Sequence, residues 1–183
     1  MVKKSFSQMT CPVAQALEVI GEWWSILILR DFMISGGRLR FEQLKDGLGI
    51  SRNVLTERLR KFTKEEIVTK VPISEGARRM EYQLTEKGWD LMPVMMALSQ
   101  WHNHWKPGPE RDNLQFLDKK YGQPLEKFGV FSKDGRRLKP SDIMPVANTH
   151  EAAEYLTQLS CNAKPSSPKQ TPEPDEKNKT DND

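Results

Sequence analysis

Only two cysteines, Cys11 and Cys161, occur in 183 residues, too few for a disulfide framework and in keeping with a reducing compartment. No run of 18 or more uncharged apolar residues exists, so no single membrane-spanning helix is expected, and the first ten residues lack the apolar stretch of an export signal. The expected compartment is the cytoplasm. Missing too are a glycine-rich phosphate loop, a paired-carboxylate constellation and a Ser/His/Asp order, and no lysine or cysteine has a catalytic base near it in sequence. Neither an enzyme nor a bound cofactor is expected. His102 and His104 flank Asn103 on a helix and point about 200° apart, which excludes a shared metal ion on a regular helix.

Charge of one sign is scarce as well: 28 basic against 25 acidic residues leave a net +3, too mild to name a partner. Its distribution says more. From Arg38 to Lys64 eight basic residues (Arg38, Arg40, Lys45, Arg52, Arg58, Arg60, Lys61, Lys64) face only Glu42, Asp46 and Glu57, a local +5. That stretch is a candidate electrostatic footprint for nucleic acid.

Periodicity organises the chain. After Cys11-Pro12, the residues Val13, Leu17, Ile20, Trp24, Leu27 and Ile28 recur at three- and four-residue steps, predicting two helices broken near Gly21 and ending near Met33. Ser35-Gly36-Gly37 reads as a turn. Phe41, Leu44 and Leu48 form a short helical stripe that stops at Gly49. Ser51 is a good N-cap for the next helix, whose buried face is Leu55, Leu59 and Phe62 and which runs to about Glu66. The period then falls to two over residues 67–73 and 79–84, with a break at Ser74-Glu75-Gly76, predicting a β-hairpin. Thr85 caps a long helix kinked at Pro93, with Leu91, Val94, Met95, Leu98, Trp101 and Trp105 on one side.

Beyond Trp105 the pattern weakens. Pro107-Gly108-Pro109 marks a boundary, Phe116 to Phe128 carries apolar residues able to dock, Asp134-Gly135 suits a hairpin turn, and Thr149 caps a last short helix to about Leu159. From Lys164 to Asp183 there is no large apolar residue, and four prolines stand among nine charges, a composition that cannot repay ordering entropy. The expected division is residues 1–106, the main folded domain; 107–161, a partly ordered extension; and 162–183, a disordered tail.

Helix, glycine turn, helix and hairpin, in that order, outline a winged helix-turn-helix: a mainly α fold with a small β-hairpin wing, whose second helix enters the major groove of duplex DNA. Opposite its buried arc that helix carries Asn53, Thr56, Glu57, Arg60 and Lys64, with Ser51 and Arg52 in the first turn. Asn pairs with adenine and Arg with guanine bidentately, Ser and Thr reach base or phosphate, and first-turn amides hold phosphate. The candidate DNA-binding residues are therefore Ser51, Arg52, Asn53, Thr56, Arg60 and Lys64, together with Arg78 and Arg79 at the hairpin tip. Each is equally a residue of an ordinary solvated face. Arg58 flanks the buried arc and suits an internal ion pair instead.

From Cys11 to about Trp105 the sequence resembles the HxlR-type (DUF24) winged helix-turn-helix regulators. The likeness is carried by Cys11-Pro12, Ile20-Gly21, Trp24-Ser25 with Ile28-Leu29-Arg30-Asp31, Arg40-Phe41 with Leu44, Gly49-Ile50-Ser51 with Leu55-Thr56-Glu57-Arg58-Leu59, Glu81-Tyr82 with Leu84-Thr85, and Gly88 with Pro93-Val94. The resemblance implies a homodimer held by the N-terminal and the long C-terminal helices on a two-fold symmetric operator. Three features depart from the pattern: Trp23 where a lysine is common, Ala77-Arg78 where the wing usually has a proline before its arginine, and a longer extension beyond Trp105.

Pro12 at a first helical position places the Cys11 thiol beside first-turn amides. Several members of the family this chain resembles sense quinones, aldehydes or oxidants through a matching cysteine, so Cys11 is the redox-sensing candidate and a small-molecule electrophile the candidate effector; the alternative is a buried, inert thiol. A Cys11–Cys161 disulfide between subunits is compatible with the sequence. Trp23, Trp24, Trp101 and Trp105 suit core or dimer contacts more often than a ligand pocket. The alternative to a DNA-binding regulator is a protein-interaction module reusing the fold through Met92, Met95, Met96 and residues 116–128.

Overall fold

The computed structural model describes residues 5–105 and 116–162. The boundary expected at Pro107-Gly108-Pro109 and the tail expected from Lys164 lie outside the described residues. The chain forms two compact units, one reaching Met144 and one starting at Pro145.

In the first unit α1 (Pro12–Ile20) and α2 (Trp23–Ile34) are separated at Gly21, where their axes bend by 77°. The buried residues of α2 are Ser25, Ile28, Leu29 and Phe32, spaced 3, 1 and 3 as one face of a helix requires. A turn through Gly36 and Gly37, both at positive φ, leads to β1 (Arg38–Leu39) and α3 (Phe41–Leu48). α4 (Arg52–Lys64) buries Leu55, Arg58, Leu59 and Phe62. Those stripes, with Leu44 of α3, close around a core completed by Ile50, Ile67, Val68 and Leu84. Burial of such side chains, roughly 1.5–3 kcal/mol each, is what holds these helices in place.

The hairpin is β2 (Val68–Pro72) and β3 (Met80–Leu84), within a residue or two of its predicted limits. The antiparallel sheet has a third strand that periodicity did not reveal: β1 pairs with β3 in the order β1-β3-β2, Arg38 opposite Gln83 and Leu39 opposite Tyr82. Side chains reinforce the pairing, since Arg38 reaches Glu81 at 3.2 Å and Gln83 at 2.9 Å.

The long helix expected from Thr85 is two. α5 (Glu86–Trp89) is one turn, capped by Thr85 Oγ1, which accepts from Gly88 N at 3.1 Å. The chain breaks at Asp90-Leu91 and α6 (Met92–Trp105) starts anew, with Pro93 in its first turn rather than at an internal kink. Proline lacks the N–H and crowds the carbonyl four residues back, Trp89 here, so a break just upstream costs less than a kinked continuous helix. Gly88 sits against the residue that precedes β2: a Cβ there would lie 2.4 Å from the carbonyl oxygen of Ile67.

Residues 116–144 form short bridged loops, Leu117 with Pro124 and Phe131 with Arg137, and the expected turn at Asp134-Gly135 is present with Gly135 at φ 83°. Gln100 of α6 ties this extension down, donating to Glu126 O at 2.9 Å and accepting from Phe128 N. The second unit contains α7 (His150–Asn162), capped as expected by Thr149, whose Oγ1 accepts from Ala152 N at 3.2 Å. Among the described residues no single helix is long and apolar enough to cross a membrane.

Candidate nucleic-acid interface

α3 and α4 are joined by three residues. Gly49 ends α3 in the left-handed region at φ 64°, buried Ile50 anchors the turn in the core, and Ser51 caps α4 by accepting from Val54 N at 3.4 Å. The short connection fixes the angle of α4 and turns its other face outward. Ser51, Arg52, Asn53, Thr56, Arg60 and Lys64 are all exposed, opposite buried Leu55, Leu59 and Phe62. Arg78 and Arg79 are exposed at the foot of β3 in the wing. The surface thus combines hydrogen-bonding side chains and cations on α4 with a cationic hairpin.

Arg52 is already engaged. Its Nη2 lies 2.8 Å from Glu42 Oε1 and its guanidinium carbon 5.0 Å from the centre of the Phe41 ring. Lys45 and Arg52, hydrogen-bonded to the Glu42 carboxylate, hold its pKa below the ordinary value of 4.5. Lys45, bonded to Asp46 and Glu42, is raised above its ordinary value. The first turns of α3 and α4 are therefore laced together by charge. Arg58 behaves as its position predicts: its side chain is 6% exposed and pairs with Glu57, while one guanidinium nitrogen, Nη1, is buried without a hydrogen-bond partner among the described residues. Lys61, counted in the sequence only as part of the basic footprint, donates to the Glu18 carbonyl and fixes α4 to the end of α1. A lysine on a helix flank carries no sequence signal for such a long-range bond.

Cys11 occupies the N-cap position of α1, partly buried, with Pro12 as the first helical residue. Gln15 Nε2 holds the segment before it through Ser7 O at 3.2 Å and Met9 O at 2.5 Å. Cys161 is exposed on α7. In the first unit Val13 and Leu17 of α1, Trp23 of α2, and Val94, Leu98, Trp101 and Trp105 of α6 are all exposed, Trp23 by 86%. Trp24 alone of the four tryptophans considered packs against the core. No tryptophan lines the cavity between α2 and α6, which is bounded instead by aliphatic, methionine and polar side chains together with Phe116. His102 borders that cavity, while His104 stacks edge-on with Trp105.

A helix-turn-helix followed by a hairpin wing that pairs with β1 into a three-stranded sheet, with its second helix presenting an exposed polar and cationic arc, defines a DNA-binding transcription regulator. Residues 19–110 match the model of the HxlR-like helix-turn-helix family, and the chain belongs to that family. Its relatives are regulators and not enzymes. The HTH-type transcriptional regulator Rv3095 of Mycobacterium tuberculosis is 34% identical over 133 residues, 73% of this chain and 83% of that protein. YodB of Bacillus subtilis, also an HTH-type transcriptional regulator, is 32% identical over 101 residues, covering 54% and 88%. The crystal structure of PA1607, described as a candidate transcription factor, superposes with a TM-score of 0.70 at 34% identity over 80% of this chain and all of that one. PA1374 of Pseudomonas aeruginosa gives 0.54 at 32% identity over 79% of this chain. The likeness to PA1607 covers more of the chain than the family model does.

Proposed function

We propose that the chain is a cytoplasmic, sequence-specific regulator that binds a palindromic operator in duplex DNA as a homodimer, one α4 per half-site. The exposed arc of α4 is the observation that supports this most directly, because Asn53, Thr56 and Arg60 are the residue types that read base edges in the major groove. Ser51, Arg52 and Lys64 contribute phosphate and first-turn contacts, and Arg78 and Arg79 bring the wing to the backbone or minor groove. The domain doing this is residues 1–106. The dimer is supported by the exposed apolar side chains of α1, α2 and α6, Val13, Leu17, Trp23, Val94, Leu98, Trp101 and Trp105, the kind of surface that a partner covers. A two-fold dimer sets half-site centres about 34–36 Å apart, one turn of DNA.

Selection of bound sequences from a random DNA pool tests the reading. An inverted repeat should be enriched, with affinity falling steeply with salt; no enrichment would replace it with the protein-interaction alternative.

Cys11 is the proposed electrophile- or oxidant-responsive thiol, supported by its partly buried place at the N-cap of α1. Treatment with a quinone should then release the operator in the parent protein, and a Cys11→Ser variant should stay bound.

A further inference from the structure

Between α2 and α6 lies a cavity of about 520 Å³ that the α4 arc and the wing do not touch. Small-molecule sites have volumes of roughly 300–1,000 Å³. Its apolar wall is built from Ile26 and Met33 of α2, Met95 and Met96 of α6, and Phe116 of the extension. Unbranched methionines adjust to the outline of a guest and favour contact with aromatic rings.

The polar side of the cavity is cationic or hydrogen-bonding: Arg30, His102 and Asn103 border it, and among the described residues no carboxylate lines it. Arg30 directs Nε and Nη2 at a single oxygen of Asp31, at 2.9 and 2.8 Å. Its Nη1 has no partner among the described residues. A guanidinium held on one side and open on the other is oriented in advance for an oxyanion.

The cavity is also distinct from the proposed dimer seam. On α6, Met95, Met96, Ser99 and Asn103 line the cavity, whereas Val94, Trp101 and Trp105 lie nearly half a turn round the helix. Leu98 borders both.

We propose that this cavity binds a small, flat, mostly apolar monocarboxylate. Its ring lies between the methionines and Phe116, its carboxylate bonds Arg30, and His102 and Asn103 supply the remaining polar contacts. Because α2 also packs against α3 and α4, a guest that separates α2 from α6 bears on the DNA-facing helix; that regulatory consequence, unlike the binding itself, rests on the operator reading.

The test is isothermal titration of the full chain in reducing buffer with 1-naphthoate and with its neutral counterpart 1-naphthamide. Naphthoate should bind at least about tenfold tighter than the amide. Arg30→Gln should erase that preference, Asp31→Asn should keep it, and Met96→Trp, which fills the cavity, should weaken both probes by about tenfold or more. Should Met96→Trp not fold, Ser99→Phe intrudes from the same helix face and serves in its place. No binding of either probe, equal affinity for acid and amide, or unchanged binding in a folded cavity-filling variant would each overturn the proposal. No DNA is present, so failure here leaves the operator reading standing, and failure of operator binding leaves this result untouched.

Discussion

Nη2 of Arg52, in the first turn of α4, lies 2.8 Å from Oε1 of Glu42 in the first turn of α3. The bond clamps the two helices of the DNA-binding motif at the end that faces outward. Lys45 and Arg52 hold the Glu42 carboxyl below 4.5. A carboxylate lowered by folding contributes its tie fully above its unfolded value, and the tie is lost as pH falls through the lowered one. Carboxyl-detected NMR titration should therefore find Glu42 titrating below 4.5, and Arg52→Ala should shift it upward. A Glu42 midpoint that Arg52→Ala leaves in place would show that the pair does not persist in solution.

Glu66, one residue past the C-cap of α4, has φ 58°, the single non-glycine residue with positive φ among those described. The amide of Ile67 returns to Phe62 O at 2.8 Å, closing a C-terminal cap that glycine usually makes. A side chain in this region costs about 1 kcal/mol, partly offset by the extra unfolded-state freedom of glycine. Glu66→Gly should thus raise the unfolding free energy by roughly 0.5–1 kcal/mol in urea titration with the slope unchanged.

Gly88 gives the opposite result. Its missing Cβ makes room for the Ile67 carbonyl oxygen, 2.4 Å from where that carbon would stand, and for Leu84 Cδ2 at 2.8 Å. Backbone on one side cannot yield as a side-chain tip would. Gly88→Ala should cost about 1–3 kcal/mol, the range for overpacking, and thermal unfolding measures it. A loss below about 0.5 kcal/mol, the range of ordinary surface substitutions, would mean that α5 shifts freely on the sheet.

The helices of the DNA-binding motif were legible because their order depends on local period: Leu55, Leu59 and Phe62 announce one buried face, and Gly49 and Ser51 mark where one helix stops and the next starts. β1 was not, since two residues have no measurable period and their partners, Gln83 and Tyr82, lie more than 40 positions away. The break at Asp90-Leu91 was misread as a kink because Pro93 signals a disturbance without saying on which side the helix yields. The α4 arc could be read from the helix wheel. The cavity could not, because nothing local says that Arg30 and Met96 come together across two helices. The Glu42–Arg52 pair was hidden for the same reason, each residue looking like an ordinary exposed charge.

Arg60 stands two turns into the exposed arc of α4, with no ion pair among the described residues to divert it. If it holds a guanine, Arg60→Ala should weaken operator binding by about 1–3 kcal/mol and relax specificity at one base pair. A phosphate role would instead weaken all sequences alike and lower the salt slope by about one. Fluorescence anisotropy on the selected operator and on single-base variants, at several salt concentrations, distinguishes them.

Gln100 makes the last prediction because its side chain bridges backbone groups far along the chain, donating to Glu126 O at 2.9 Å and accepting from Phe128 N. Phe128 lies in an irregular segment, and no other bond from its amide is found among the described residues. Its hydrogen exchange should therefore report this one contact. Gln100→Ala should speed exchange at Phe128 by about tenfold and cost about 1 kcal/mol, the net worth of a typical hydrogen bond. Exchange in β2 and β3 should stay as it is, because neither strand leans on the extension for its ladder. Unchanged protection at Phe128 would mean that the loops between Leu117 and Arg137 hold themselves together without α6.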